Sequence, residues 1–368
     1  MSRREAWKAV MEYGELSEVP ALWWDPWDET RERWTTEGMP AGVDPHAALG
    51  TIRFWINLEV DLGLRPGFPQ ECLEETADSV VRRLADGTVQ RSWKHGSSIP
   101  QYVDHALKTA RDWPDFKRRL RPDAGRIPPD LADRARALVA ADDLVLIDCG
   151  SLMGWIRNWM GLEGMSYLLF DDPDAFRDMV ATIADLACWA IDQTIPRLPV
   201  LPDAGILWED MCGKNGPLID PELVSRYVAP HYRRIRQRLD RHGVHLLGVD
   251  CDGDITGLLP VWLESGVNLH MPVEIGTWKA DPMALRRRHG RELRMVGGID
   301  KRELEKGPAA IDREVARRMP LVRDGGFIPM PDHYITPQTS LADFRYYLSR
   351  IGGIRIDAPG TRPEVTRA

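Results

Sequence analysis

Val244-His245-Leu246-Leu247-Gly248-Val249-Asp250-Cys251-Asp252-Gly253-Asp254 is an apolar run that stops abruptly in three closely spaced carboxylates and a glycine. Such a run suits a strand buried on both faces, as in a parallel sheet. Charges placed where the strand stops belong to the mouth of a fold, not to its core. The same grammar recurs in Gly205-Ile206-Leu207-Trp208-Glu209-Asp210, in Leu293-Arg294-Met295-Val296-Gly297-Gly298-Ile299-Asp300, and in Gly326-Phe327-Ile328-Pro329-Met330-Pro331-Asp332-His333. Short apolar strands that end in Asp, Glu or His are the sequence form of an α/β-barrel active-site face. The pattern predicts an enzyme.

Outward from that stretch, strand and helix signals alternate from about residue 143 onward. Strands are expected at 143–148, 204–209, 244–250, 267–272, 293–298 and 326–330. Helices are expected at 152–160, 174–195, 221–242, 255–265, 281–290, 309–324 and 340–351. Pro260 should delay or kink the helix at 255–265. Repeated βα units with short connections mean a parallel sheet. Their number favours a (β/α)8 TIM barrel over an open sheet, in the α/β class. Val19 to Asp25 reads as the first barrel strand, preceded by an N-terminal helix within residues 1–18. The Trp-, Pro- and Arg-rich segment at about 26–140 reads as an insertion capping the barrel mouth. Within it, Asp86-Gly87 between two partly alternating runs in Ser79–Trp93 is a hairpin signal. One barrel domain is expected over 19–357, and a loose tail over 358–368.

The chain has 368 residues and a net charge of −8. General nucleic-acid binding needs a basic footprint and is not expected. The arginines at 233, 234, 236 and 238, and at 286–288, read as solvated helix faces. The start is charged and has no apolar signal-peptide core, and no apolar window is long enough to span a bilayer. Five scattered cysteines without a Cys-x-x-Cys pair read as reduced thiols. Together these predict a cytoplasmic protein with no membrane partner. Of fourteen tryptophans, Trp23, Trp24, Trp27 and Trp34 crowd into one stretch. They suit either the wall of an aromatic pocket or a seal on the barrel bottom.

The strand ends supply the candidate chemistry. Asp250 and Asp252 suit metal coordination or acid–base work. They equally suit a plain turn at Asp252-Gly253 followed by a helix cap at Asp254. His245, earlier in the run, reads as a hydrogen-bonded core histidine. His333, after Asp332, can ligate a metal, move a proton or bind an anion, or simply pack in a turn between Pro331 and Pro337. Of the pair Glu209-Asp210, one should point inward. Glu274 follows the strand at 267–272, as an inward group or an ordinary surface one. Gly297-Gly298 lets a ligand approach the backbone closely or makes a tight turn. No Walker loop, nucleophile elbow, zinc-protease motif or Rossmann fingerprint is present.

Glu209-Asp210-Met211, Asp250-Cys251-Asp252-Gly253, Gly297-Gly298-Ile299-Asp300-Lys301-Arg302 and Gly325 to His333 stand in one register. In this order they resemble the uroporphyrinogen decarboxylase superfamily, and within it the cobamide-dependent methyltransferase-like branch. Thr30-x-x-x-Trp34-x-x-Glu37-Gly38-Met39-Pro40 is similar to the same branch. The resemblance implies a (β/α)8 barrel with its site at the C-terminal mouth. It also implies methyl transfer between a small-molecule heteroatom and a corrinoid carried by a partner protein. The arginine-rich signature of true porphyrinogen decarboxylases is absent, since Trp27 to Trp34 holds only Arg31 and Arg33, differently placed.

Better-known members of the branch hold zinc through a His-x-Cys pair and a distant Cys. Here Asp250 and Asp252 fall at the pair, and Asp332 or His333 near the distant cysteine. Carboxylates with one histidine make a harder, less selective site than thiolates. The expected catalytic set is therefore Asp250, Asp252, His333 and Glu209. The first three also form the candidate ligand set for zinc or another divalent metal. Trp23, Trp24, Trp34, Arg157, Asp210, Glu274 and Gly298 are the expected substrate contacts. The competing readings are a metal-free decarboxylase, with Arg157 binding the departing carboxylate, and a silent binder of a corrinoid or tetrapyrrole. The crowd of ionisable groups at the strand ends argues against the silent binder.

Overall fold

A computed structural model of the chain describes residues 1–14, 18–54, 58–96 and 99–352. The tail expected at 358–368 lies outside the described residues. The chain condenses into two compact units. One comprises Met1–Phe54, Ala140–Leu144 and Pro272–Ala368; the other comprises Trp55–Val139 and Val145–Met271.

Eight short strands carry the alternation: β1 (Leu22–Trp23), β2 (Ile52–Arg53), β3 (Leu146–Asp148), β4 (Ala204–Trp208), β5 (Leu247–Asp250), β6 (Leu269–Val273), β7 (Arg294–Ile299) and β8 (Phe327–Pro331). Within the first unit β2 pairs in parallel with β1. There β1 lies beside β8, and β8 pairs in parallel with β7. Gly297 of β7 touches the end of β6, where a Cβ would come within 2.5 Å of the Val273 nitrogen; the backbone φ of +122° there also favours glycine. Within the second unit the start of β6 pairs in parallel with β5, β5 with β4, and β4 with β3. Asp143, just ahead of β3, accepts the Arg53 backbone N–H at 3.1 Å in the first unit. This is the strand order of a (β/α)8 fold.

The helices follow the expected series, with breaks where backbone chemistry demands them. The segment expected as one helix at 221–242 is two, Pro221–Tyr227 and Ala229–Arg241, because Pro230 has no N–H for the preceding turn. The helix expected at 255–265 begins late, at Leu259, with Pro260 in its first turn. The helix expected at 152–160 runs over Gly154–Asp171 and kinks at Gly161 (φ 76°, ψ 158°).

The segment at 26–140 holds more than an insertion. After two short helices, Asp28–Thr36 and Pro45–Leu49, it holds the second parallel strand, β2, whose two residues are too few to show any periodicity. Beyond it, in the second unit, four antiparallel strands at Glu71–Glu75, Ser79–Arg83, Val89–Trp93 and Gln101–Asp104 form a separate sheet. The expected Asp86-Gly87 turn joins its middle pair. Among the described residues no helix is long and apolar enough to cross a membrane. All five cysteines are free thiols.

Candidate active site

Register decides which strand-end groups face which way. A Cβ at Gly205 would lie 2.5 Å from Leu239 Cδ1, on the Ala229–Arg241 helix, and 2.8 Å from Cys149 Sγ. Gly205 and Cys149 therefore face the helix layer. Side chains alternate along a strand, so Asp148, Ile206 and Trp208 face the other way. Strand pairing carries that face across β5 and β6. Asp148 is level with Ile206, Ile206 with Gly248, and Gly248 with Leu269; one row nearer the strand ends, Trp208 is level with Asp250 and Asp250 with Met271. His270, of opposite phase, stacks on Trp262 on the helix side.

Asp250 thus points away from the helices in the last row. Cys251 turns the other way, fully buried, with its sulfur accepting the Met211 N–H at 3.2 Å. Asp252 donates its backbone N–H to Asp210 Oδ1 at 3.2 Å. Gly253 presses on the Cys212–Gly213 backbone, where a Cβ would meet the Cys212 carbonyl oxygen at 2.6 Å. Asp254 caps the turn at Ile255–Gly257 through the Thr256 N–H. The capping reading holds for Asp254, while Asp250 keeps an inward place.

Asp210 sits at the exit of β4 with a left-handed φ of +50°. Its carbonyl oxygen accepts from Arg157, and its carboxylate lies 3.6 Å from the same guanidinium. Arg157 also lies over the Trp208 ring, 5.4 Å from its centroid. The antiparallel sheet reaches this cluster through Tyr102. Burial holds its phenol above the usual range, with Arg157 opposing and Asp210 reinforcing the shift. His105, three residues on, bonds the Asn158 carbonyl oxygen at 2.7 Å. That contact pins the insertion beside Arg157.

Glu209 follows inward-facing Trp208 and so turns into the helix layer, where it has no exposed surface. Its carboxylate accepts the backbone N–H groups of Leu152, Met153 and Gly154 at 3.0, 2.9 and 3.1 Å. It also accepts the Ser151 hydroxyl at 3.2 Å and the Tyr232 hydroxyl at 2.7 Å. Burial pushes its pKa up against these donors. Glu209 anchors the start of the Gly154–Asp171 helix.

Asp148, which the sequence reading does not single out, ends the run Leu144-Val145-Leu146-Ile147 as Asp250 ends its own. Burial pushes its pKa up to about 6, against one hydrogen bond from the Gly150 N–H at 2.7 Å.

In the other unit, Asp332 is the anchor. It is buried at the end of β8 and accepts the N–H groups of Ile275 (2.9 Å), Gly276 (2.7 Å) and Lys301 (3.1 Å). One carboxylate thereby ties together the segments leaving β6, β7 and β8. Asp300 caps the following turn and holds Arg302 through both oxygens at 2.8 and 2.7 Å, which lowers its pKa against the burial that raises it. His333 is half-buried, its Nδ1 set 2.8 Å from the Tyr334 N–H and its ring edge-on to Tyr334. Tyr334 in turn neighbours Trp27 at 5.2 Å and Trp24 at 6.5 Å. Glu274 is buried and accepts the Thr277 hydroxyl at 2.7 Å.

Several expected contacts take other places. Trp23 and Trp34 are core side chains, bonded through their indole N–H groups to Thr51 and the Thr339 carbonyl and packed on Phe344. Trp24 and Trp27 are the tryptophans beside Tyr334. A Cβ on Gly298 would meet Phe327 and Pro282, so protein fills that space and tight packing explains the glycine. His245 is exposed and paired with Asp240 at 3.0 Å, because β5 begins only at Leu247. Arg286 is buried against Asp324 at 2.7 Å instead of lying on a solvated face. Asp250 and Asp252 belong to one unit and His333 to the other. Among the described residues no group of three or more His, Cys, Asp or Glu side chains is set to hold a metal ion.

The uroporphyrinogen decarboxylase family model matches residues 160–352, just over half of the chain. The chain belongs to the uroporphyrinogen decarboxylase family. The match covers β4 to β8 and with them Glu209, Asp250, Asp332 and His333. No curated protein matches this family member by sequence. Among solved structures, a methyltransferase from Methanosarcina mazei shares its fold with a TM-score of 0.58 and 12% identity, over 95% of this chain and 98% of that one. At that identity the likeness is one of fold.

Proposed function

We propose that this chain is a methyltransferase-like enzyme that removes a methyl group from the oxygen or nitrogen of a neutral or cationic small molecule. The observation that carries this reading is the charge of the strand ends. In one unit Arg157 is already met by Asp210. In the other, Arg302 is held by Asp300. A substrate with several carboxylates needs uncommitted cations; with Arg157 and Arg302 each already paired, a neutral or positive substrate suits these strand ends better. The methyl acceptor in this proposal is a reduced corrinoid presented by a partner protein, which enters as the second substrate.

The chain's own residues would then bind and orient. Trp208, with Arg157 over its ring, offers a flat wall, and Tyr102 borders it from the antiparallel sheet. The test supplies the purified protein with free reduced corrinoid and a panel of methylated phenols and amines, following the corrinoid spectrum and the demethylated product. Demethylation of neutral or cationic donors is the expected result. Carbon dioxide release from a carboxylated pyrrole, with the corrinoid spectrum unchanged, would replace the proposal with decarboxylation.

A further inference from the structure

We infer that Asp148 is the proton donor of this site, delivering its carboxylic-acid proton to the heteroatom that the methyl group leaves. The inference deepens the proposed function and rests on it. Three observations carry it. First, strand register turns Asp148 away from the helix layer, into the row formed with Ile206, Gly248 and Leu269, one row below Trp208 and Asp250. It is the ionisable member of an otherwise apolar row.

Second, its oxygens are differently committed. Oδ1 takes the Gly150 N–H at 2.7 Å, and among the described residues Oδ2 has no protein partner. The residue as a whole is still partly exposed. Other strand-end carboxyls are spent on structure: Glu209 holds three amides and two hydroxyls, Asp332 three amides, and Asp300 an arginine.

Third, the surroundings favour the neutral acid. Burial in the apolar row raises the group to about 6. The charged groups on neighbouring elements are Asp210 after β4, Asp250 and Asp252 at β5, and Arg157 on the Gly154–Asp171 helix. A general acid needs these properties at a pH near neutrality.

The step balances as follows. The bond between the methyl carbon and the heteroatom breaks, and both its electrons stay on the heteroatom. The methyl carbon bonds to the electron pair supplied by the reduced corrinoid. The heteroatom takes the Asp148 proton, and the carboxylate left behind is reprotonated from water.

The test compares wild type, Asp148→Asn and Asp148→Glu on two aryl methyl ethers, one with a strongly acidic phenol as leaving group and one with a weakly acidic phenol. A leaving group that departs well as an anion needs no acid. Asp148→Asn should therefore lose about 10²- to 10⁴-fold on the weakly acidic phenol's ether and little on the other, with partial rescue by Asp148→Glu. The wild-type rate on the weakly acidic phenol's ether should fall as pH rises through about 6, and that limb should vanish in Asp148→Asn. Equal losses on both ethers, or none on either, would overturn the inference and leave the proposed function standing. A wild type that demethylates neither ether nor any methylated amine, with free corrinoid present, would overturn both.

Discussion

Removing the Glu209 carboxylate separates an anchor from a catalyst. In Glu209→Ala the amides of Leu152, Met153 and Gly154 lose their acceptor inside the protein, along with the Ser151 and Tyr232 hydroxyls. The hydroxyls can turn to other partners; the amides are fixed by the backbone. Each buried unsatisfied donor costs about 1–3 kcal/mol, so three set an upper range of about 3–9 kcal/mol. Two effects reduce it. Water can enter the space left behind, and the substitution also removes a carboxyl whose charge the site opposes, as its raised pKa shows. The expected net loss is about 3–5 kcal/mol, at the severe end for one substitution. With an unfolding entropy of about 2.1 cal/mol/K per residue, that lowers Tm by about 4–6 °C. Glu209→Gln keeps one acceptor oxygen and turns an NH2 toward N–H donors, and should cost about half as much. Scanning calorimetry reads both. A Glu209→Ala protein that melts within about 1 °C of wild type, yet has lost its activity, would refute the anchor reasoning and make Glu209 a participant in the reaction.

Other outcomes follow from the same geometry. Asp148→Asn should stabilise the protein at pH 7.5 and leave stability at pH 4 unchanged. A folded-state pKa raised from 3.8 to about 6 means that stability is full below about pH 4 and declines as pH rises to about 6; the amide avoids that loss of about 3 kcal/mol. Urea denaturation at the two pH values checks it, and a difference independent of pH would count against it. Asp332→Ala, which strips the acceptor from Ile275, Gly276 and Lys301, should cost about 2–4 kcal/mol in the same assay. Gly297→Ala should cost about 3 kcal/mol or more, because its Cβ would stand 2.5 Å from the Val273 nitrogen at a φ of +122°. Tyr102→Ala, beside Arg157 and Asp210, should raise KM for the methyl donor several-fold with little change in kcat; an unchanged KM would place the tyrosine outside the substrate's reach.

Much of the fold is legible in the chain because parallel strands buried on both faces are written as unbroken apolar runs. Six of the eight strands announce themselves in that way from residue 143 onward. β2 does not, since two residues carry no pattern, and it passes for part of the insertion. The breaks at Pro230 and Pro260 are local backbone chemistry, but only the one at Pro260 is read from sequence. His245 is misplaced because a run of apolar neighbours makes it look like strand, whereas pairing begins at Leu247.

The sequence by itself determined that carboxylates and a histidine stand where apolar strands end, and that the βα series makes an α/β barrel, while the strand-end motifs carry the resemblance to the uroporphyrinogen decarboxylase superfamily. Tertiary structure alone decided which of those groups faces the chemistry. Glu209 and Asp250 each follow an apolar strand, yet one turns into the helix layer and the other away from it. A strand with polar and apolar residues in alternation declares its phase. One buried on both sides has no alternation to read, so the facing of each end group is set by sheet register and by what the helices pack against.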